Sequence, residues 1–185
     1  EETKPSKYVS SIMEWGVKYE QIATMFYEYL TKSQIIEFGL IPHPQLKIFG
    51  ASPDGICGPK SPKEYIGRML EIKCPPKREF TSEVPEHYWM QIQGQLETCN
   101  LSECDFLQVK IEEYSNLEEY NQDSNGNVGE TSSGYPKGMV LTFTKNDQNT
   151  YEYPTLFQNN EQNNTWKNDM ILKYPDHIVS VHWWK

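Results

Sequence analysis

A chain of 185 residues with 37 % hydrophobic and 13 % aromatic residues can bury a core without disulfide or metal staples, which excludes disordered and small-scaffold classes. It holds no apolar run of the roughly 18 to 20 residues that span a bilayer, and its polar start lacks a signal-peptide core, so a soluble, intracellular protein with no membrane partner is expected. The net charge of −9 runs against phosphate binding, but much of the excess acid is concentrated between Glu112 and Glu130, and charge distribution matters more than the total.

From Glu14 to Leu30 the residues Tyr19, Ile22, Ala23, Phe26, Tyr27 and Leu30 recur at the spacing of a half-buried helix. Glu20 lies beside that stripe, and Gly16 one turn earlier leaves open space on its face. After Pro42 and Pro44, Gln45 to Phe49 alternates as a strand and runs into the turn Gly50-Ala51-Ser52-Pro53-Asp54-Gly55. Arg68 to Cys74 reads as a second strand, and the two are expected to form a hairpin with a long loop. Pro85 opens a helix, Glu86 to Cys99, with Trp89, Ile92, Leu96 and Cys99 on one face and His87, Gln91 and Gln95 on another. Core strands are expected at Asp105 to Glu113 and Gly138 to Thr144, separated by a polar tract, Ser115 to Gly134, read as a mobile loop. An apolar and aromatic ending, Ile171 to Trp184, is expected to pack as a final helix or strand. The element order predicts a mixed α/β domain with a central sheet flanked by helices, spanning 1–185 as one unit. Cys57, Cys74, Cys99 and Cys104 contain no CxxC pair, so buried free thiols are expected and an iron–sulfur cluster is not. The chain starts at Glu1 without methionine, which leaves room for a missing upstream segment.

The chemistry concentrates in a few positions. In the strand Arg68 to Cys74, the period of two puts Glu71 and Lys73 on one face and Leu70, Ile72 and Cys74 on the other. An isolated ExK is an ordinary solvated strand face. Asp54 changes the odds, because a hairpin would bring its carboxylate to Glu71, and two hard oxygen ligands near a strand end suit Mg²⁺. Lys73 would then orient the attacking water, and Glu20 could supply a third carboxylate from the first helix, for a second metal or a water. Gln91 and Gln95, one turn apart, could donate to a phosphate or to that water.

Together, WGVKYE at Trp15 to Glu20, GASPDG at Gly50 to Gly55, LEIKCP at Leu70 to Pro75 and HYWMQIQGQLETC at His87 to Cys99, followed by CDF at Cys104 to Phe106, closely resemble the phage lambda exonuclease and YqaJ-type viral recombinase family of PD-(D/E)xK nucleases. The resemblance covers about half the chain. It implies a restriction-endonuclease-like α/β fold and a Mg²⁺-dependent deoxyribonuclease, with Mn²⁺ as a substitute and two ions per site. It implies exonuclease action from 5′ to 3′ on linear double-stranded DNA in viral or phage-type recombination or repair. By the same resemblance Asp54, Glu71, Glu20 and the carbonyl of Ile72 would bind metal, Lys73 would serve the water, and Gln91 would support the site. Ser52, Tyr88 and Gln93 would meet substrate, Ser52 at the 5′-phosphate. A single-strand annealing protein and a homo-oligomer are implied as partners, in host cytoplasm or nucleus if the source is viral. Family members carry an Arg and small hydroxyl residues upstream of the first acidic helix, and Glu1 to Met13 has no equivalent. An endonuclease of the same chemistry, or a catalytically silent nucleic-acid-binding module, are the competing expectations.

Overall fold

Helix α1 (Lys7–Thr31) forms along the apolar stripe read from the sequence, with Tyr19, Ile22, Ala23 and Tyr27 buried. Phe26 is only half-buried and Leu30 is exposed. The hydroxyls of Thr24 and Thr31 donate to the carbonyls four residues back, Glu20 and Tyr27, so neither is left unpaired. Lys32 takes a left-handed φ of 59° just past the end, which stops the helix. The computed structural model describes residues 7–77, 80–124, 126 and 129–185, with the backbone alone for 7–10. Part of the start where the upstream Arg was sought lies outside the described residues. Two compact units make up the chain, residues 1–110 and 111–185. Among the described residues no helix is long and apolar enough to cross a membrane.

The first unit is built on a four-stranded sheet in the order β1 (Ile35–Ile36), β4 (Gly55–Cys57), β5 (Met69–Lys73), β6 (Cys104–Gln108). Strand β5 runs antiparallel to β4 and parallel to β6, so the sheet is mixed, as expected. It is covered on both faces, with Met69, Leu70, Glu71 and Ile72 all at 4 % exposure or less. Cys74, on the Leu70 and Ile72 face, places its Sγ 3.9 Å from the Tyr19 carbonyl, so that face meets α1. Tyr27 Oη donates to Asp105 at 2.8 Å, and Arg68 grips Asp105 and Glu103 at 3.1 Å each, tying α1 to β6 and to the entrance of β5. Gly55 has no room for a side chain, since a Cβ would stand 2.3 Å from Ile35 Cγ2.

Two expectations are corrected in this unit. Gln45 to Phe49 is not a strand: the pairing segment is the two-residue β3 (Gly50–Ala51), set against β2 (Ile41–Pro42). The alternation of Leu46 and Ile48 meets no partner, and they are 57 % and 102 % exposed. The segment is a turn held by His43 N donating to Phe49 O and Phe49 N to Leu46 O. The partner of β5 in the expected hairpin is therefore β4, immediately after Asp54. Helix α2 (Glu86–Cys99) lies where expected but buries a rotated face. Ile92, Gln95 and Thr98 are buried, whereas Trp89 is 54 % exposed. Thr98 Oγ1 donates to Gly94 O at 2.8 Å and Gln95 Nε2 to Ser52 O at 3.4 Å, while Gln95 Oε1 is buried without a hydrogen-bond partner.

The second unit is an antiparallel sheet in the order β8 (Gln148–Glu152), β7 (Gly138–Lys145), β9 (Ile178–Trp184), with helices α3 (Leu117–Gln122) and α4 (Asn160–Lys173). Its core joins Leu141, Phe143 and Met170 with Trp166, Tyr174 and Val179, and Phe143 stacks on Tyr174 at 4.2 Å between centroids. The tract read as a loop contains α3, capped by Asn116, whose side chain accepts from Glu119 N. The buried Lys137 ammonium donates to the Tyr120 carbonyl at 2.6 Å and also to that of Asp123 at the end of that helix. Asn125, Asn127 and Val128 of that tract lie outside the described residues. The expected strand Asp105 to Glu113 is shorter, ending at Gln108, and its remainder crosses into the second unit. The ending expected as helix or strand is both, the last three residues of α4 and then β9. All four cysteines are free, Cys57 and Cys74 buried, Cys99 and Cys104 half-buried.

Candidate active site

Glu71 sits in the middle of the central strand with 1 % exposure, a position where an ionised carboxylate is costly unless it is compensated. Its Oε1 accepts from Lys73 Nζ at 2.5 Å and from Gln91 Nε2 at 2.8 Å. Period-two geometry of β5 puts Lys73 beside it, and the first turns of α2 bring Gln91 down from the other side. Its Oε2 is equally buried and has no hydrogen-bond partner. A buried carboxylate oxygen without a donor marks a position suited to a cation.

Asp54, just before β4, accepts the backbone N–H of Ile72 on Oδ2 at 2.6 Å. The hairpin thus brings Asp54 onto the same stretch of β5 as Glu71. Burial pushes the Asp54 carboxyl up from 3.8 to about 6; the Ile72 hydrogen bond opposes the rise and Glu71 adds to it. Glu20 on α1 is raised to about 7 by burial first and then by the charge of Asp54, with Lys73 opposing. Glu20 is solvent-accessible, and water moderates its shift. A Cβ at Gly16, one turn before it, would meet nothing within 4 Å, so that side of α1 is open. Burial works against the Lys73 ammonium, but the hydrogen bond and charge of Glu71, with Asp54, outweigh it and raise its pKa above the ordinary lysine value.

Oxygen donors of this kind fit a hard divalent cation: an unpartnered buried carboxylate oxygen, and acids whose ionisation is disfavoured by one another and would be favoured by positive charge. Among the described residues, no three His, Cys, Asp or Glu side chains stand close enough to grip an ion unaided. Carbonyl, water or phosphate oxygens would have to complete the shell.

The other predicted positions lie at the end of β3 and along α2. Ser52 is exposed at the end of β3, its carbonyl held by Gln95. Gln93 is on the exposed side of α2. Tyr88 turns its ring to Lys73, with Nζ 5.1 Å from the ring centroid. Sequence reasoning did not pair Tyr88 with Lys73, nor Phe106 with Tyr88 at 5.5 Å, because these contacts join three elements. The signal available was the CDF motif placing an aromatic on the strand next to ExK.

A mixed sheet whose central strand carries Glu-x-Lys, with an Asp from the adjoining hairpin and helices on both faces, is the restriction-endonuclease-like PD-(D/E)xK core. Within that class the chain belongs to the YqaJ-like viral recombinase domain family, whose model matches residues 1–102. It is 34 % identical over 194 residues to an uncharacterised protein of Acanthamoeba polyphaga mimivirus, covering 91 % of this chain and 35 % of that protein. Among solved structures it is similar to an alkaline exonuclease from Laribacter hongkongensis, at 29 % identity and a TM-score of 0.45, covering 54 % of this chain and 50 % of that one. The complex of that exonuclease with dAMP matches at 28 % identity and 0.45, over 57 % and 52 %. The chain thus spans about a third of the viral relative and about half of the exonuclease.

Proposed function

We propose that this chain is the catalytic core of a divalent-metal-dependent deoxyribonuclease, acting as a 5′-to-3′ exonuclease on linear double-stranded DNA in recombination or repair. The observation that carries the reading is the Glu71 carboxylate, buried in the central strand, held on one oxygen by Lys73 and Gln91 and unpartnered on the other, beside Asp54. Asp54, Glu71 and the Ile72 carbonyl would hold the ion, with Glu20 facing it from α1. Mg²⁺, or Mn²⁺ in its place, supplies Lewis-acid polarisation of the phosphodiester and charge for the leaving alkoxide.

The side chains divide the remaining work. Lys73, an ammonium here, orients the attacking water and offsets charge developing on phosphate, since a raised pKa makes it a poor proton acceptor. Gln91 keeps the Glu71 carboxylate from rotating, which leaves Oε2 aimed for the ion. Ser52 and Gln93 are exposed, and the same proposal gives them substrate contacts, Ser52 at the 5′-phosphate. An annealing protein and self-assembly belong to the same proposal as partners.

Incubation with linear duplexes bearing 5′-phosphate or 5′-hydroxyl ends, and with a closed circle, in Mg²⁺ or EDTA, tests it beside Lys73→Ala. The expected result is loss of linear duplex only, faster with 5′-phosphate, and none in EDTA or in the variant. Equal cutting of the circle would replace the exonuclease by an endonuclease of the same chemistry, and Asp54→Ala with full activity would end the metal-site assignment.

A further inference from the structure

The Lys73 ammonium lies between two attractive surfaces. One is the Glu71 carboxylate at 2.5 Å; the other is the Tyr88 ring, whose centroid is 5.1 Å away. Tyr88 belongs to the first turn of α2, where its N–H donates to Pro85 O at 2.9 Å. Its ring is bracketed by His87 at 4.0 Å and by Phe106 at 5.5 Å. Phe106 is the residue directly across from Glu71 in the parallel pair of β5 and β6. The same strand pair therefore sets both the carboxylate and the brace behind the ring.

We propose that Tyr88 is the positioning residue for Lys73, its ring face holding the ammonium in place while Glu71 serves a cation. This rests on the nuclease reading of the site. An ion entering at Glu71 draws on the same carboxylate that Lys73 holds and repels the ammonium. Without a second attraction, a flexible four-carbon side chain would swing into water, and the group that orients the attacking water would be lost. The negative face of an aromatic ring supplies that attraction without a formal charge, so it binds the ammonium and does not compete for the ion. The role differs from a substrate contact, and it depends on the ring rather than on the hydroxyl.

Two readouts test it. In ¹³C-resolved NMR spectra of the protein in EDTA, the Lys73 ε-methylene, assigned through Lys73→Arg, is expected upfield of exposed lysines in the wild type and in Tyr88→Phe. It should move to the exposed position in Tyr88→Leu. With Mg²⁺ and linear duplex, Tyr88→Leu is expected to lower kcat about tenfold with KM unchanged, and Tyr88→Phe to restore it. Should Tyr88→Leu not fold, Phe106→Leu removes the brace and should shift the same resonance part of the way. An unmoved methylene resonance, a loss confined to KM, or Tyr88→Phe failing like Tyr88→Leu would overturn the assignment. A wild type that cleaves no DNA would sink the nuclease reading instead, and the spectra in EDTA would still decide the contact between ring and ammonium.

Discussion

Replacing Asp54 by asparagine should stabilise the metal-free protein at neutral pH while destroying its response to divalent cations. The substituted side chain keeps an amide oxygen for the Ile72 N–H, which Asp54 accepts at 2.6 Å, so the change removes mainly the charge. A carboxyl whose pKa is higher folded than unfolded binds more protons in the folded state. Stability is then greatest below the unfolded value and is lost as pH rises through the folded one. For Asp54 that window runs from 3.8 to about 6, and a rise of this size corresponds to about 3 kcal/mol lost by neutral pH. Thermal unfolding in EDTA should show wild type and Asp54→Asn converging toward pH 4.5 and diverging by pH 7.5, the variant higher by roughly 5 to 10 °C. Saturating Mg²⁺ or Mn²⁺ should raise the wild-type midpoint, by about 2.7 kcal/mol at a hundredfold excess over Kd, and leave the variant unmoved. A difference independent of pH, or a variant less stable than wild type at pH 7.5, would refute the claim that Asp54 is held at an electrostatic cost for a cation.

Protons and metal should compete at the same carboxylates. Cation affinity measured by calorimetry is expected to fall as pH drops from about 7 toward 5, through the ranges of Glu20 and Asp54; a flat profile would separate those acids from the ion. Gln91→Leu removes the donor on Glu71 Oε1 and should weaken cation binding or turnover by about 10- to 100-fold with little change in thermal midpoint. Arg68→Ala leaves Asp105 with Tyr27 alone and should cost about 2 kcal/mol in urea unfolding, without a change in cation affinity. In the second unit, Asn159→Ala breaks the capping box with Gln162 at the start of α4 and should cost about 1 kcal/mol, read as a lower urea midpoint for that unit.

The residues of the candidate site were legible in the sequence because each sits in a short segment with its own grammar. Period two in the strand put Glu71 and Lys73 together, and period 3.6 in the helix aligned Gln91 with Gln95. A turn rich in Ser, Pro, Asp and Gly marked where Asp54 leaves one strand for the next. The helix stripe at Tyr19 to Tyr27 and the strand at Gly138 to Lys145 were readable for the same reason. Local periodicity failed where a pattern had no partner: Leu46 and Ile48 alternate like a strand, yet nothing pairs with them and they face water. It failed again on α2, where hydropathy favoured burying Trp89, but the carbonyl of Ser52 and the packing of the hairpin turned Gln95 inward. What only the tertiary structure decided is the electrostatic state of the site. The unpartnered Glu71 oxygen, the raised pKa values of Asp54 and Glu20, and the Tyr88 ring against Lys73 all arise between elements far apart in the chain. Residue order determines which side chains share a face; desolvation and charge coupling depend on what packs against that face from elsewhere.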